Sequence, residues 1–341
     1  MMTNDEKEIR QLLETFITAW KDRKTDHIDE LMTSDCEIDY SIFDKGISID
    51  VLKKQLSTLT RIPTYTRFEL YNYVCAVGQD KAQNSGFIQG IFVDESGEKS
   101  TSFTFDAFIA NSLVKVDGKW KMNAMRLELG SSSDNHVRLY STGVGIDHFA
   151  GDVSFIGNWH QLTTEVGFFK GSRIKSIVPE YDAPWYAIKD RVNINGSDLD
   201  QIRELVYRYC FSLDLDCLEL YDTVFTEDAS AVYSDDRKYD KRTVTAMLRF
   251  ERQGMIGLGH IVYVDSVDFN GDEAVGRIYR AGYVPPHKLH GEDKKLNYVN
   301  ARYRMEFKKV NGQWRIKKLY YYPGFLVRDY ASDVFVCCSG K

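Results

Sequence analysis

Near the start of the chain, apolar residues fall at helical spacing: Ile9, Leu12, Leu13, Phe16, Ile17 and Trp20. The same spacing returns at Ile202, Leu205, Val206, Tyr209 and Leu213. Residues three and four apart share a helix face, so each run predicts an amphipathic helix lying on a core. A short second helix follows each run. Farther on, alternation of period two predicts strands over about 260–269, 274–284, 298–310 and 313–322. Asn270-Gly271 and Asn311-Gly312 sit between successive strands, and Asn-Gly is a strong signal for a tight hairpin turn.

The two helical runs belong to a longer internal repeat. Met32-Thr33-Ser34-Asp35-Cys36 is answered by Phe225-Thr226-Glu227-Asp228-Ala229, 193 positions on. Gln79-Asp80-Lys81-Ala82 is answered by Gly271-Asp272-Glu273-Ala274 at 192. Lys115-Val116-Asp117-Gly118-Lys119-Trp120 is answered by Lys309-Val310-Asn311-Gly312-Gln313-Trp314 at 194. Three anchors whose offsets agree within two residues predict two copies of one domain, over 1–130 and 197–341. Each copy reads as helices first and an antiparallel sheet afterwards, which is α+β. A twisted sheet covered by helices on one face curls into a cone whose mouth can hold a ligand. Residues 131–196 belong to neither copy. They carry Phe149, Phe155, Trp159, Phe168, Phe169, Trp185 and Tyr186, so they predict an ordered connection rather than a free linker.

Composition narrows the function classes. The formal net charge is −6 and no long run of Lys or Arg exists, so no nucleic-acid partner is expected. No stretch reaches the roughly 18 apolar residues of a membrane span, and the first residues lack a signal-peptide core. The 6 cysteines form no C-x-x-C pair, which fits reduced thiols and a cytoplasmic location. His136, His148 and His160 match no metal-ligand spacing, and His287 and His290 read as a solvated pair after Pro285-Pro286. No metal and no cofactor is expected. The aromatic share of 13%, with 21 Tyr and 19 Phe, suits curved sheets around apolar cavities and filled cores alike.

Candidate chemistry concentrates in the second copy. Asp216 and Glu219 form a capping box for a second helix, so the first helix should end near Asp214 and let that carboxylate turn inward. His260 opens a strand expected to lie across from that helix. An imidazole beside a carboxylate is the simplest general base, because the carboxylate orients the ring and stabilises its protonated form. Tyr209 and Tyr233 can offer hydroxyl donors to a developing enolate oxygen. Taken singly, each residue has a plainer reading: a helix cap, a structural histidine, a core tyrosine. Only their joint spacing favours catalysis.

With these residues in place, the second copy resembles the SnoaL-like group of the nuclear transport factor 2-like superfamily. Within that group it is similar to scytalone dehydratase and bile-acid 7-alpha-dehydratase over roughly 200–330. The resemblance rests on Tyr209, Asp214, Tyr233, His260 after Gly257-Leu258-Gly259, and the Asn311-Gly312-Gln313-Trp314 turn. It implies a catalytic set of Tyr209, Asp214 and His260, with Tyr233 at the substrate. One departure stands out: a second pocket histidine of scytalone dehydratase falls near Tyr283–Val284, and neither residue replaces an acid or base. Applying the repeat offsets, Tyr209 maps to Phe16, Asp214 to Lys21, His260 to Phe68 and Tyr233 to Tyr40. The first copy therefore keeps the fold without the set.

The expected function is a cofactor-independent lyase, dehydratase or isomerase acting on a small cyclic hydroxy-ketone or polyketide-like compound. A non-catalytic carrier of a small apolar ligand is the alternative. Single domains of this superfamily often pair through their sheets, so pairing of the two copies within one chain is expected, with a homodimer possible.

Overall fold

The computed structural model describes residues 3–22, 24, 26–40, 44–57, 63–95, 101–132, 196–214, 221–233, 237–252, 259–284, 297–323, 326–329 and 334–337. The Asp216–Glu219 capping box, the five histidines His136, His148, His160, His287 and His290, and nearly all of 131–196 lie outside those residues.

The chain divides into two compact units. The first contains α1 (Asn4–Asp22), α2 (Ile28–Leu31), β1 (Met32–Tyr40), β2 (Asp44–Ile47), α3 (Ile49–Ser57), β3 (Tyr65–Val77), β4 (Lys81–Asp94), β5 (Thr101–Val116) and β6 (Lys119–Ser132). The second repeats that order with α4 (Asp198–Asp214), α5 (Tyr221–Val224), β7 (Phe225–Val232), β8 (Lys238–Asp240), α6 (Lys241–Arg252), β9 (Gly259–Asn270), β10 (Glu273–Val284), β11 (Asn297–Val310) and β12 (Gln313–Pro323). A separate ribbon, β13 (Leu326–Asp329) with β14 (Val334–Cys337), follows.

The two sheets have one topology. Strand order is β2-β1-β6-β5-β4-β3 in the first and β8-β7-β12-β11-β10-β9 in the second. All pairings are antiparallel except β1 with β6 and β7 with β12, which are parallel. The sequence pattern predicts helices followed by strands, whereas each unit inserts a hairpin (β1–β2 or β7–β8) before its third helix. That hairpin is short, and its parallel partner lies far along the chain, where local periodicity carries no information.

Both first helices start in the same way. The Glu6 amide donates to Thr3 Oγ1 at 3.2 Å, and the Thr3 amide donates back to Glu6 Oε2 at 2.6 Å. At the matching place the Asp200 amide donates to Ser197 Oγ and the Ser197 amide to Asp200 Oδ2, each at 3.2 Å. These reciprocal bonds satisfy amides that a helix start leaves without partners.

A second paired device fastens each helix to its sheet. The Trp120 indole donates to Asp5 Oδ1 at 2.9 Å, with Lys115 Nζ 2.9 Å from the same oxygen and 5.0 Å from the indole centroid. Trp314 donates to Asp198 Oδ1 at 2.9 Å, with Lys309 Nζ at 2.8 Å and again 5.0 Å from the ring. The turns beside these tryptophans need left-handed backbone: φ is 49° at Asp117 and 78° at Gly118, 52° at Asn311 and 77° at Gly312. Glycine, Asn and Asp tolerate that region best, which is why those residue types read as hairpins.

Candidate active site

Side chains of directly paired residues project from the same face of a sheet, so the register assigns the residues that face the first helix of each unit. In the second unit His260 pairs with Gly282, and Val262 with Arg280. Arg280 pairs in turn with Ala301, and Ile278 with Tyr303. Tyr303 pairs with Tyr321. One inward face of β9–β12 therefore carries His260, Arg280, Tyr303 and Tyr321 together. Helix α4 buries Ile202, Leu205, Val206, Tyr209, Cys210 and Leu213, and these pack in one apolar cluster with Val262, Ile278, Tyr303 and Leu319.

Asp214 is the last residue of α4, as the spacing predicts. Its carboxylate meets the opening residue of the inward face through two contacts. The His260 backbone amide donates to Asp214 Oδ2 at 2.9 Å, and His260 Nδ1 is hydrogen-bonded to Oδ1. Both side chains are almost fully buried, 3% exposed for His260 and 1% for Asp214. A carboxylate only accepts, so Nδ1 carries the hydrogen and Nε2 is the nitrogen left to exchange a proton. A carboxylate at a helix C-terminus faces the negative end of the helix dipole, and burial opposes its charge as well. Helix α4 has no basic residue in its last turn. The pairing with His260 offsets these costs.

Tyr209 lies within the same interior, its ring perpendicular to Phe225 at 5.8 Å and to Tyr303 at 6.2 Å. The rings continue from Tyr303 to Tyr321 at 5.6 Å, from Tyr321 to Tyr233 at 5.5 Å, and from Tyr233 to Tyr239 at 5.7 Å. Tyr233 follows β7 and is half-buried. Of the residues singled out in the sequence, Asp214 and His260 are in direct contact, and Tyr209 and Tyr233 are linked through the rings of Tyr303 and Tyr321.

Arg280, Tyr303 and Tyr321 escape the sequence reading. Arg280 is 8% exposed, donates from Nη1 to the Tyr303 hydroxyl at 3.0 Å, and stands 5.7 and 5.6 Å from the Tyr303 and Tyr321 ring centroids. The repeat itself contains the missing signal. In the first unit Ile88 pairs with Ala107 and Ile109 with Leu127, the same register steps as Arg280 with Ala301 and Tyr303 with Tyr321. Three aliphatic residues are thus exchanged for one arginine and two tyrosines.

The remaining equivalences of the first unit follow the same steps. Phe68 pairs with Gly90 as His260 does with Gly282. Its ring packs edge-on to Trp20 at 4.9 Å and Phe92 at 5.4 Å. Phe16 is fully buried in an apolar cluster with Ile88, Ile109 and Leu127. Lys21 lies near the C-terminus of α1, 3.6 Å from Asp22. The side chain of Tyr40 is outside the described residues. Among the described residues no group of three or more His, Cys, Asp or Glu side chains gathers in a metal-binding cluster. No helix among them is long and apolar enough to cross a membrane.

Comparison with known proteins gives one family. The model of the SnoaL-like domain matches twice, over residues 1–126 and 196–320. Solved structures of similar fold include a putative scytalone dehydratase from Novosphingobium aromaticivorans, 20% identical, covering 39% of this chain and 88% of that one, TM-score 0.34. Others are a protein of unknown function from Mycobacterium tuberculosis (19% identity, 39% and 76% covered, TM-score 0.34) and a nuclear transport factor 2-like superfamily protein from Salmonella enterica serovar Typhimurium (15%, 36% and 89%, TM-score 0.31). No curated protein matches the chain.

Proposed function

Since the chain belongs to the SnoaL-like domain family, as two tandem α+β domains, we propose that its second domain is a cofactor-independent lyase of the dehydratase type, or an isomerase. The substrate is a small cyclic hydroxy-ketone or polyketide-like compound. The observation that carries this reading is the buried Asp214–His260 contact. His260 Nε2 removes a proton alpha to the substrate carbonyl, and the electron pair moves onto the carbonyl oxygen. Asp214 holds the ring in place and stabilises the imidazolium. The Tyr209 hydroxyl donates to the enolate oxygen, and Tyr233 packs against the substrate ring. The enolate then collapses, the β carbon–oxygen bond breaks, and Nε2–H protonates the departing hydroxyl as water. An isomerase returns the same proton to a different carbon.

The test monitors exchange of α-protons for deuterium by NMR, with a panel of hydroxylated cyclic ketones in D2O. Exchange by the wild type and its loss in His260→Ala, by about a hundred- to ten-thousandfold, is expected of a positioned general base. Exchange that survives His260→Ala undiminished sinks the reading. Ligands that bind without any exchange in the wild type would favour the second reading, a non-catalytic carrier, for which the Tyr209, Tyr303, Tyr321, Tyr233 and Tyr239 rings are the supporting observation.

A further inference from the structure

Burying a guanidinium is unfavourable unless a carboxylate or several hydrogen bonds compensate it. Among the described residues Arg280 has one such bond, to the Tyr303 hydroxyl, and two tyrosine rings. Its Nε has no hydrogen-bond partner, and no carboxylate pairs with it among the described residues. The charge persists regardless, because guanidinium does not deprotonate in proteins. The fold does not require a cation there: Ile88 occupies the same register position in the first domain and is fully buried. At this register position the charge thus appears only in the domain that also holds Asp214 and His260.

Position adds a second argument. Arg280 and Gly282 are successive inward positions of β10, and Gly282 lies opposite His260. Glycine adds no side chain at that point of the face, between the imidazole and the guanidinium. Two successive inward positions on a strand are about 7 Å apart, the span of a six-membered ring with one substituent. The rings of Tyr303 and Tyr321 beside Arg280 suit the flat or puckered body of such a molecule. A guanidinium offers a planar fork of donors matched to a carboxylate, and the Nε donor of that fork has no partner among the described residues.

We propose that Arg280 is the anchor for a carboxylate on the ligand, so that the second domain takes cyclic acids rather than neutral cyclic ketones. The proposal deepens the dehydratase reading and rests on it only for the location of the site. Binding of the acid requires no chemistry at His260. A carboxylate is favoured over a phosphate because, among the described residues, a single buried arginine faces the site, and a dianion would remain half compensated.

The test measures binding of 4-oxocyclohexanecarboxylate and of its methyl ester by ligand-observed NMR and calorimetry on the full chain. The wild type should prefer the acid by at least about tenfold, the scale of one charge-assisted pair. Arg280→Gln should abolish the preference. His260→Ala should keep it, so that loss of catalysis and loss of the anchor are read separately. Arg280→Ile, which installs the first domain's own residue, should lose the preference and melt no lower than the wild type, because a buried charge with no carboxylate partner among the described residues is removed. Equal affinity for acid and ester in the wild type, or no binding of the acid, overturns the proposal without reference to any variant. A fall in melting temperature for Arg280→Ile, with acid preference retained in Arg280→Gln, would make Arg280 a structural residue and overturn it too.

Discussion

At the register position where the first domain carries Ile88, the second carries Arg280; where the first has Ile109 and Leu127, the second has Tyr303 and Tyr321. Phe68 stands for His260 and Phe16 for Tyr209, while Lys21 near the end of α1 stands for Asp214 at the end of α4. The backbone around these exchanges is held by matching capping pairs, matching Trp–Asp–Lys clusters and matching left-handed turns. Each exchange moves the first interior toward what a core prefers. The aliphatic and aromatic residues need no partners, and a lysine suits the negative end of a helix. The second interior departs from those preferences at every one of the same points. Buried polar and charged groups concentrated where the sister domain needs none point to use rather than folding.

The comparison can be broken from either side. The largest effect should come from Asp214→Asn, which preserves shape but cannot stabilise an imidazolium. The proposed proton exchange should fall about a hundred- to ten-thousandfold, with little change in melting. Phe16→Ala should do the opposite. It empties a fully buried site in the first domain and should cost about 3–5 kcal/mol in denaturant unfolding, with catalysis by the second domain retained. A smaller, shared effect tests the common scaffold. Trp120→Phe and Trp314→Phe each remove one indole hydrogen bond to an aspartate, and each should cost about 1 kcal/mol. Hydrogen exchange of β4–β6 and β10–β12 peptides assigns each loss to its own domain, and unequal losses would show that the two clusters are not equivalent.

The smallest expected effect is pH-dependent. The Asp5 carboxyl is held below its ordinary pKa by the Lys115 ammonium and the Trp120 indole. Lys309 and Trp314 do the same for Asp198. A depressed folded-state pKa stabilises the fold above the unfolded value of about 4 and stops doing so as pH falls through the folded value. Both domains should therefore lose a little stability on acidification below about pH 4. Asp5→Asn should flatten that loss in the first domain only, as followed by urea unfolding at pH 5 and pH 3; an unchanged slope would remove Asp5 from the account.

Much of this architecture was legible in the chain because it is local or repeated. The helices show in the spacing of Ile9 to Trp20 and Ile202 to Leu213, and the hairpins in Asp117-Gly118 and Asn311-Gly312. The Asp214–His260 contact was foreseeable because a helix end and a strand start each fix one partner. Strands β1 and β7 were harder to see, since their parallel pairing joins distant segments and leaves no local trace. Arg280 was hidden for a different reason. In Gly276-Arg277-Ile278-Tyr279-Arg280-Ala281-Gly282 two arginines lie three apart, one on each face of the strand. Hydropathy alone would turn both to solvent. Arg277 does face outward and pairs with Asp265 at 2.6 Å. Only the inner register separates the two, and a period-two pattern cannot fix that register when a charge lies inside.

The parallel pairing of β1 with β6 has a consequence for how each domain assembles. Met32 pairs with Met122, and in the second domain Phe225 pairs with Ile316, so each sheet is completed by a contact spanning about 90 residues. The β3–β6 and β9–β12 hairpins can zip up from their own turns, whereas the N-terminal hairpin must wait for the last long strand before it has a partner. During synthesis, the N-terminal hairpin of each domain is made well before the strand it pairs with. A chain cut just before β6 or β12 would leave β1 or β7 without its partner strand, and a free edge of that kind invites pairing with other chains.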